Sequence, residues 1–175
     1  MIFKERCTRN IYLFSFYLAG VRVSDVLRMK WNQISDNRLV YKMGKNNKVD
    51  SLKLPSKVIE ILNYYSRDKR AKDDFIFPEL KKANIDDEKD VHAKIRTANK
   101  KFNYYLKQIA SLAKIDKKVT MHISRHSFGN IAGDKVSPQM LQKLYRHTSL
   151  TTTIGYQGNF VHKDTDEALE TVIGF

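Results

Sequence analysis

Cysteine is almost missing from this chain: Cys7 is the only one. No intrachain disulfide can form, and no zinc cluster built on several cysteines, which fits a reducing compartment. Proline and glycine are sparse, at 3 and 7 of 175 residues. There is no internal repeat and no low-complexity tract, and the length suits one domain with a sizeable core. Long apolar runs are lacking as well. The longest candidate, Ile11 to Val21, follows Lys4, Arg6 and Arg9 in the manner of a secretory signal, but it is too short to span a bilayer. Ile11, Phe14 and Leu18 fall at i, i+3 and i+7, so the run reads as a buried helix. Acidic residues are the other deficit. Lys and Arg number 32 against 19 Asp and Glu, for a formal net charge of +13 and a pI near 9.7. That excess points to a polyanionic partner, nucleic acid first and an anionic membrane surface second. At 42% hydrophobic and 29% charged the chain reads as soluble and globular.

The periodicity gives an α+β architecture, mostly helical, with a small antiparallel sheet. Residues 5–20 read as an apolar helix ended by Gly20. Ser24 or Asp25 can cap a following helix through Trp31. Residues 38–43 and 49–54 alternate as two short strands, and Gly44 to Lys48 between them is a turn, so a β-hairpin carries Lys42, Lys45 and Lys48 near its tip. Pro55 opens a helix to about residue 70, with Val58, Ile61, Leu62 and Tyr65 inward. Phe75 to Pro78 is a short apolar run, and residues 79–90 are a charged loop. From about 91 to 113, Ile95, Ala98, Phe102, Tyr105, Leu106, Ile109 and Leu112 mark one helix face. Lys94, Arg96, Lys100, Lys101 and Lys107 mark the opposite one, either a stripe facing nucleic acid or a solvated surface. A helix over 123–132 turns Phe128, Ile131 and Ala132 inward. Ser137 and Pro138 start another through Leu141, Leu144 and Tyr145, stopping near His147. Thr148 to Thr153 is a short hydroxyl-rich stretch. Gly155 and Gly158 flank Tyr156 and imply a loose backbone there. Asp164 and Glu167 can cap a last helix over 164–175.

The chemistry concentrates in Thr120-Met-His-Ile-Ser-Arg-His126, followed by Arg146, His147 and Tyr156. Arginine binds phosphate oxygens in a bidentate fork. Histidine moves protons near neutral pH. Tyrosine is a nucleophile once a base or a strongly positive site activates it. His122 and His126 also have an i, i+4 metal spacing. However, the zinc-protease signature needs Glu after the first His, where this chain has Ile123. No Asp or Glu lies anywhere from Thr120 to Gly133, so no metal is assigned.

Taken in order, Leu18-Ala-Gly-Val-Arg-Val-Ser-Asp25, Gly44-Lys45, His122-Ile-Ser-Arg-His126 and Arg146-His-Thr-Ser-Leu-Thr-Thr-Thr-Ile-Gly-Tyr156 resemble the tyrosine recombinase family, also called phage integrases. The resemblance covers essentially the whole chain. It implies a DNA strand-breaking and rejoining enzyme, a site-specific recombinase or integrase. Arg22 and Arg125 would clamp the scissile phosphate, and Lys45, with Lys42 and Lys48 as competitors, would protonate the departing 5′ oxygen. His122 would assist proton transfer, His147 would hydrogen-bond the phosphate, and Tyr156 would form a 3′-phosphotyrosyl bond. Asp25 and His126 would be supporting residues. The bond energy stays in the covalent link, so no cofactor, ATP or metal is implied.

The resemblance also implies double-stranded DNA as substrate, self-association into a tetramer on it, accessory DNA-bending proteins, and a cytoplasmic, nucleoid-associated location. The first motif begins near residue 18, so residues 1–175 read as one catalytic domain without the family's N-terminal DNA-clamping domain. The tail helix over 164–175 would dock on a neighbouring protomer or on its own domain. Two departures stand out: Arg146 occupies a position where the family commonly has glycine, and Gly155 directly precedes the tyrosine. A type IB topoisomerase uses a similar residue set and is the enzymatic alternative. A non-catalytic DNA-binding module is the other.

Overall fold

The computed structural model describes residues 3–42, 49–133 and 135–157. Its helices are α1 (Phe3–Tyr17), α2 (Val23–Leu27), α3 (Ser56–Tyr65), α4 (Glu88–Leu112), α5 (Ile123–Ala132), α6 (Pro138–Tyr145) and α7 (Leu150–Gln157), and its strands are β1 (Ile34–Ser35), β2 (Arg38–Lys42) and β3 (Val49–Lys53). The fold is the mostly helical α+β arrangement expected. The sheet is antiparallel in the order β1-β2-β3, with Leu39 opposite Leu52 and Tyr41 opposite Asp50. The two strands foreseen are thus joined by a third, β1, too short to show alternation. The hairpin turn with Lys45 and Lys48, and the tail over 164–175, lie outside the described residues. Among the described residues, no helix is long and apolar enough to cross a membrane.

The central helix is α1, packed against α3, α4 and α5. Ile11 and Phe14 are completely buried and Leu18 nearly so, as their spacing requires. Each such side chain contributes roughly 1.5–3 kcal/mol on burial. Phe14 meets Phe77 edge-on at 5.1 Å, and Phe77 meets Tyr65 at 4.9 Å. This locks α1 to α3 and to the segment after Phe75. The α4 helix starts at Glu88, ahead of the expected 91, because Asp87 caps it by accepting from the Lys89 N–H at 2.9 Å. Its buried face is Val91, Ile95, Ala98, Phe102, Leu106 and Ala110. Leu112, expected inward, is exposed because the helix end runs past the core. Ile131 on α5 is likewise exposed, while Ala132 faces the second cluster with Leu141 and Tyr145.

Helix α2 is shorter than expected. Neither Ser24 nor Asp25 caps it: Arg22 holds the cap position, its carbonyl accepting from the N–H groups of Asp25 and Val26, both at 2.9 Å. Trp31 falls instead in a 3-10 turn, Trp31–Gln33. Ser137 caps α6 as foreseen, accepting from the Met140 N–H. Thr148 to Thr153 is not a bare connector. From Leu150 onward it belongs to α7, which continues through Tyr156.

The α1–α2 corner decides where the site can form. Gly20 has φ +67°, and a Cβ there would lie 2.5 Å from Arg125 Cα. The N–H groups of Gly20 and Val21 both donate to the Ser15 carbonyl, at 2.8 and 3.2 Å. The corner therefore closes tightly enough to press against α5. Gly20→Ala should cost roughly 2–4 kcal/mol, from the left-handed backbone and the overlap. A thermal melt should show a loss of about 5–15 °C for a domain of this size; an unchanged midpoint would contradict the close approach.

Candidate active site

Arg125 is fixed before anything binds. It stands on α5 at 2% exposure, a costly place for a charge unless its N–H groups are met. Nη1 donates to the Gly20 carbonyl at 3.0 Å and Nη2 to the Tyr145 carbonyl at 2.8 Å. Nη2 also lies 3.2 Å from Nε2 of His147. The Tyr145 ring lies beneath the guanidinium, 3.8 Å from centroid to Cζ, and the Tyr145 hydroxyl donates to the Arg125 carbonyl. A serine pair, Ser15 and Ser124 with Oγ atoms 2.8 Å apart, links α1 to α5 beside this corner.

Arg22 reaches the same place from α2. Both arginines line one cleft of about 830 Å³ together with His122. Burial, then the charge of Arg22, pushes the Arg125 pKa down, while Tyr145 and Tyr156 support the charged form. Two guanidiniums that close, with the acid-free stretch from Thr120 to Gly133 beside them, make a site for an anion. Across the cleft stand Lys89, His92, Arg96, Asn99 and Asn103. Of the basic stripe expected on α4, only Arg96 lines the cleft; Lys94, Lys100, Lys101 and Lys107 do not.

His147 sits between two fixed partners. Because Arg125 can only donate, His147 Nε2 accepts, so Nδ1 carries the proton and donates to Thr153 Oγ1 at 3.0 Å. Gln142 Nε2 donates to the His147 carbonyl. His122 is more exposed. Its pKa is pushed below the ordinary 6.5, by burial first and then by His126, Arg125 and Arg22. It is therefore a neutral ring at neutral pH.

Tyr156 arrives on α7. Its ring stacks on His126 at 4.5 Å and 20° and lies 5.3 Å from His147 and 6.3 Å from His122. The Arg125 guanidinium is 5.7 Å from its centroid. The loose backbone expected at Tyr156 is replaced by helix, and no neighbour approaches within 4 Å of where a Gly155 Cβ would stand.

The structure thus gathers Arg22, His122, Arg125, His126, His147 and Tyr156. Asp25 lies behind them, 5% exposed in the first turn of α2. Lys45 and Lys48 fall outside the described residues, as does the side chain of Lys42. Four participants were not singled out in the sequence. Tyr145 read only as core, Thr153 only as part of a short hydroxyl-rich stretch, and Gln142 drew no reading at all. Gly129 carried a signal, being a lone glycine inside a helical pattern. A Cβ there would lie 2.8 Å from the Tyr156 carbonyl and 3.0 Å from its Cβ, so this glycine lets α7 seat on α5.

Gly129→Ala should displace α7 and cost about 1–3 kcal/mol. Amide hydrogen exchange should speed up over residues 150–157 with little change in α1 and α4. Uniform protection in both proteins would refute the seating.

Comparison with known proteins follows this geometry. A protein of Sinorhizobium fredii (strain NGR234) named as an integrase/recombinase is 29% identical over 147 residues, 82% of this chain and 44% of that protein. The XerH site-specific recombinase, bound to a palindromic difH substrate in a post-cleavage complex, superposes with a TM-score of 0.69 at 18% identity, covering 97% of this chain and 47% of that one. A lambda integrase dimer bound to a COC′ core site gives 0.57 at 17% identity, over 89% and 53%. The chain spans about half the length of these relatives. At such identities the superpositions establish the fold. The model of the phage integrase family matches residues 3–162, and with nearly the whole chain matched, this protein belongs to the phage integrase family.

Proposed function

We propose that this chain is the catalytic domain of a site-specific DNA recombinase that breaks and rejoins strands through Tyr156. The observation that carries the reading is the meeting of Arg22, from the α1–α2 corner, and Arg125, from α5, in one cleft with Tyr156 beside Arg125. The basic composition supports a polyanionic substrate, and XerH, which shares the fold, is bound to its DNA substrate.

In this reading the two guanidiniums neutralise the non-bridging oxygens of one phosphate. Tyr156 Oη attacks phosphorus and gives its proton to His122. The P–O5′ bond breaks, its electron pair stays on the 5′ oxygen, and the hairpin lysine, Lys45 or else Lys42 or Lys48, protonates that oxygen. When phosphate takes over the Arg125 N–H, His147 Nε2 is released and, protonated, donates to the phosphate. Asp25 and His126 hold the basic groups and the phenol ring in place. A 5′ hydroxyl of a partner strand then attacks the phosphotyrosyl bond and restores the backbone. Nothing in these steps consumes ATP or requires a metal or cofactor. Double-stranded DNA is the substrate, in the cytoplasm at the nucleoid. Copies of the chain assemble on it as a tetramer, with DNA-bending proteins assisting.

The test is a nicked suicide substrate. The unsubstituted protein should form a covalent adduct, mapped to Tyr156 by mass spectrometry, and Tyr156→Phe should bind DNA equally and form none. Relaxation of supercoils without recombined product would make it a topoisomerase. Binding with no adduct would make it a DNA-binding module. Arg125→Ala or Arg22→Ala should slow cleavage by about 100-fold or more, since each removes charge stabilisation from the transition state.

The pH profile has a definite sign. A histidine whose pKa is lowered keeps its neutral form through neutral pH and loses it as pH falls through that lowered value. Cleavage should therefore show an acid limb below pH 6.5, the ordinary histidine value, and His122→Ala should abolish that limb. An unaltered limb in the variant would assign proton transfer elsewhere.

A further inference from the structure

A charge as deeply buried as that of Arg125 is as a rule paired with an opposite charge. Among the described residues no ion pair reaches it: the pairs are Arg28 with Glu88, Lys57 with Glu60 and His92 with Glu88. Its own stretch, Thr120 to Gly133, holds no acid. What meets the guanidinium instead is neutral. Two carbonyls and one imidazole nitrogen take its N–H groups, and an aromatic ring covers one of its faces.

That ring belongs to Tyr145, which is completely buried. Its centroid lies 3.8 Å from the Arg125 Cζ. The two residues also clasp each other through their backbones. Arg125 Nη2 donates to the Tyr145 carbonyl at 2.8 Å, and the Tyr145 hydroxyl donates to the Arg125 carbonyl. Gly129 leaves room for that hydroxyl, since a Cβ there would lie 3.0 Å from it. Burial pushes the Tyr145 pKa up, against the charge of Arg125. The hydroxyl therefore keeps its proton and stays committed to the backbone, which makes it no rival to Tyr156 as nucleophile. The rings of Tyr156 and His147 meet the Tyr145 ring edge-on, at 5.2 Å and 87° and at 5.4 Å and 79°. The next residue, Arg146, turns the other way. Its Cζ lies 5.5 Å from the centre of the Tyr41 ring, and it does not line the cleft. Arg125 is the cation that the Tyr145 face serves.

We propose that Tyr145 is a positioning residue: its ring face holds the Arg125 guanidinium in place without neutralising it, so that the whole charge is left for the scissile phosphate. The proposal rests on the recombinase reading above. The distinction is electrostatic. A carboxylate in the same place would fix Arg125 by a charge-assisted bond and then compete with the phosphate for the same charge. An aromatic ring attracts a cation through its quadrupole and carries no net charge. It covers a face of the guanidinium and leaves the edge, where the N–H groups lie, to acceptors. The role is confined to the negative charge on the non-bridging oxygens, which grows as the transition state forms.

The test varies the ring face and the phosphate charge separately. Single-turnover cleavage of a nicked suicide substrate is measured at saturating protein on two scissile groups. One is the ordinary phosphate. The other is a methylphosphonate, in which a methyl group replaces one non-bridging oxygen and removes the negative charge. Tyr145→Phe should lower the thermal midpoint, having lost a buried hydrogen bond. It should still cleave the phosphate within about threefold of the unsubstituted protein, because the ring stays under the guanidinium. Phenylalanine rings bearing one, two or three fluorines are then introduced at position 145, which drains negative charge from the face with little change of shape. Each fluorine should slow the phosphate reaction further, to about tenfold or more at the third, the scale of a desolvated cation–π contact. The methylphosphonate reaction should stay within about twofold across the series, since no anion has to be stabilised. Tyr145→Leu should lose at least as much on the phosphate as the third fluorine; the fluorine series decides the matter if that variant does not fold. Equal losses on both substrates would mean that ring packing matters and ring charge does not, and the proposal would be wrong. A flat fluorine series on the phosphate would overturn it, as would a full loss in Tyr145→Phe, which would assign the effect to the hydroxyl. If the unsubstituted protein formed no Tyr156 adduct, the recombinase reading would fall and this proposal with it.

Discussion

A guanidinium buried to 2% exposure needs acceptors for its N–H groups, and the two Nη groups of Arg125 find them at two distant places along the chain. The Gly20 carbonyl comes from the α1–α2 corner, the Tyr145 carbonyl from the end of α6, and the His147 ring from the turn beyond. Leaving such a group unmet would cost several kcal/mol, of order 3–5 when a buried partner is lost. The α1–α2 corner and the end of α6 with its following turn are therefore bound to one side chain, and that side chain lines the cleft.

Much of the local structure follows from that requirement. Gly20 has no Cβ because a Cβ would strike the Arg125 backbone, and Gly129 has none because α7 must pass close to α5. The Tyr145 ring supplies a flat surface under the guanidinium, 3.8 Å from its Cζ. Arg22 can then approach a like charge. Arg125 is already held by its neighbours, and an anion bound between the pair would stabilise both charges further. In the proposed reaction, the same preorganisation would spare the site from reorganising as charge develops on a phosphate.

The helical core was legible because its pattern is local. The i, i+3, i+7 spacing of Ile11, Phe14 and Leu18 specifies a buried face without reference to the rest of the chain. The bounds 123–132 and the Ser137 cap were legible for the same reason. Errors arose where tertiary contact overrules local preference. Ile131 and Leu112 have the right residue type for the core but lie beyond its edge. The stretch after His147, rich in threonine and glycine, has weak helix propensity. It folds as α7 because Thr153 and Tyr156 are held by His147 and His126. The candidate site was legible as an ordered set of residue types, while Tyr145 and Thr153 carry no such mark and show their part only in space.

By itself the sequence determined the chain's own positive charge, the helical class, the family resemblance and the identities of two arginines, three histidines and a tyrosine as one set. Those are properties of composition and order, and order survives in one dimension. Only the tertiary structure decided that Arg22 and Arg125 share a cleft, that His147 carries its proton on Nδ1, and that Arg146 turns away from that cleft toward Tyr41. Each of those depends on a contact between residues far apart along the chain, where burial and hydrogen-bond partners are set by packing.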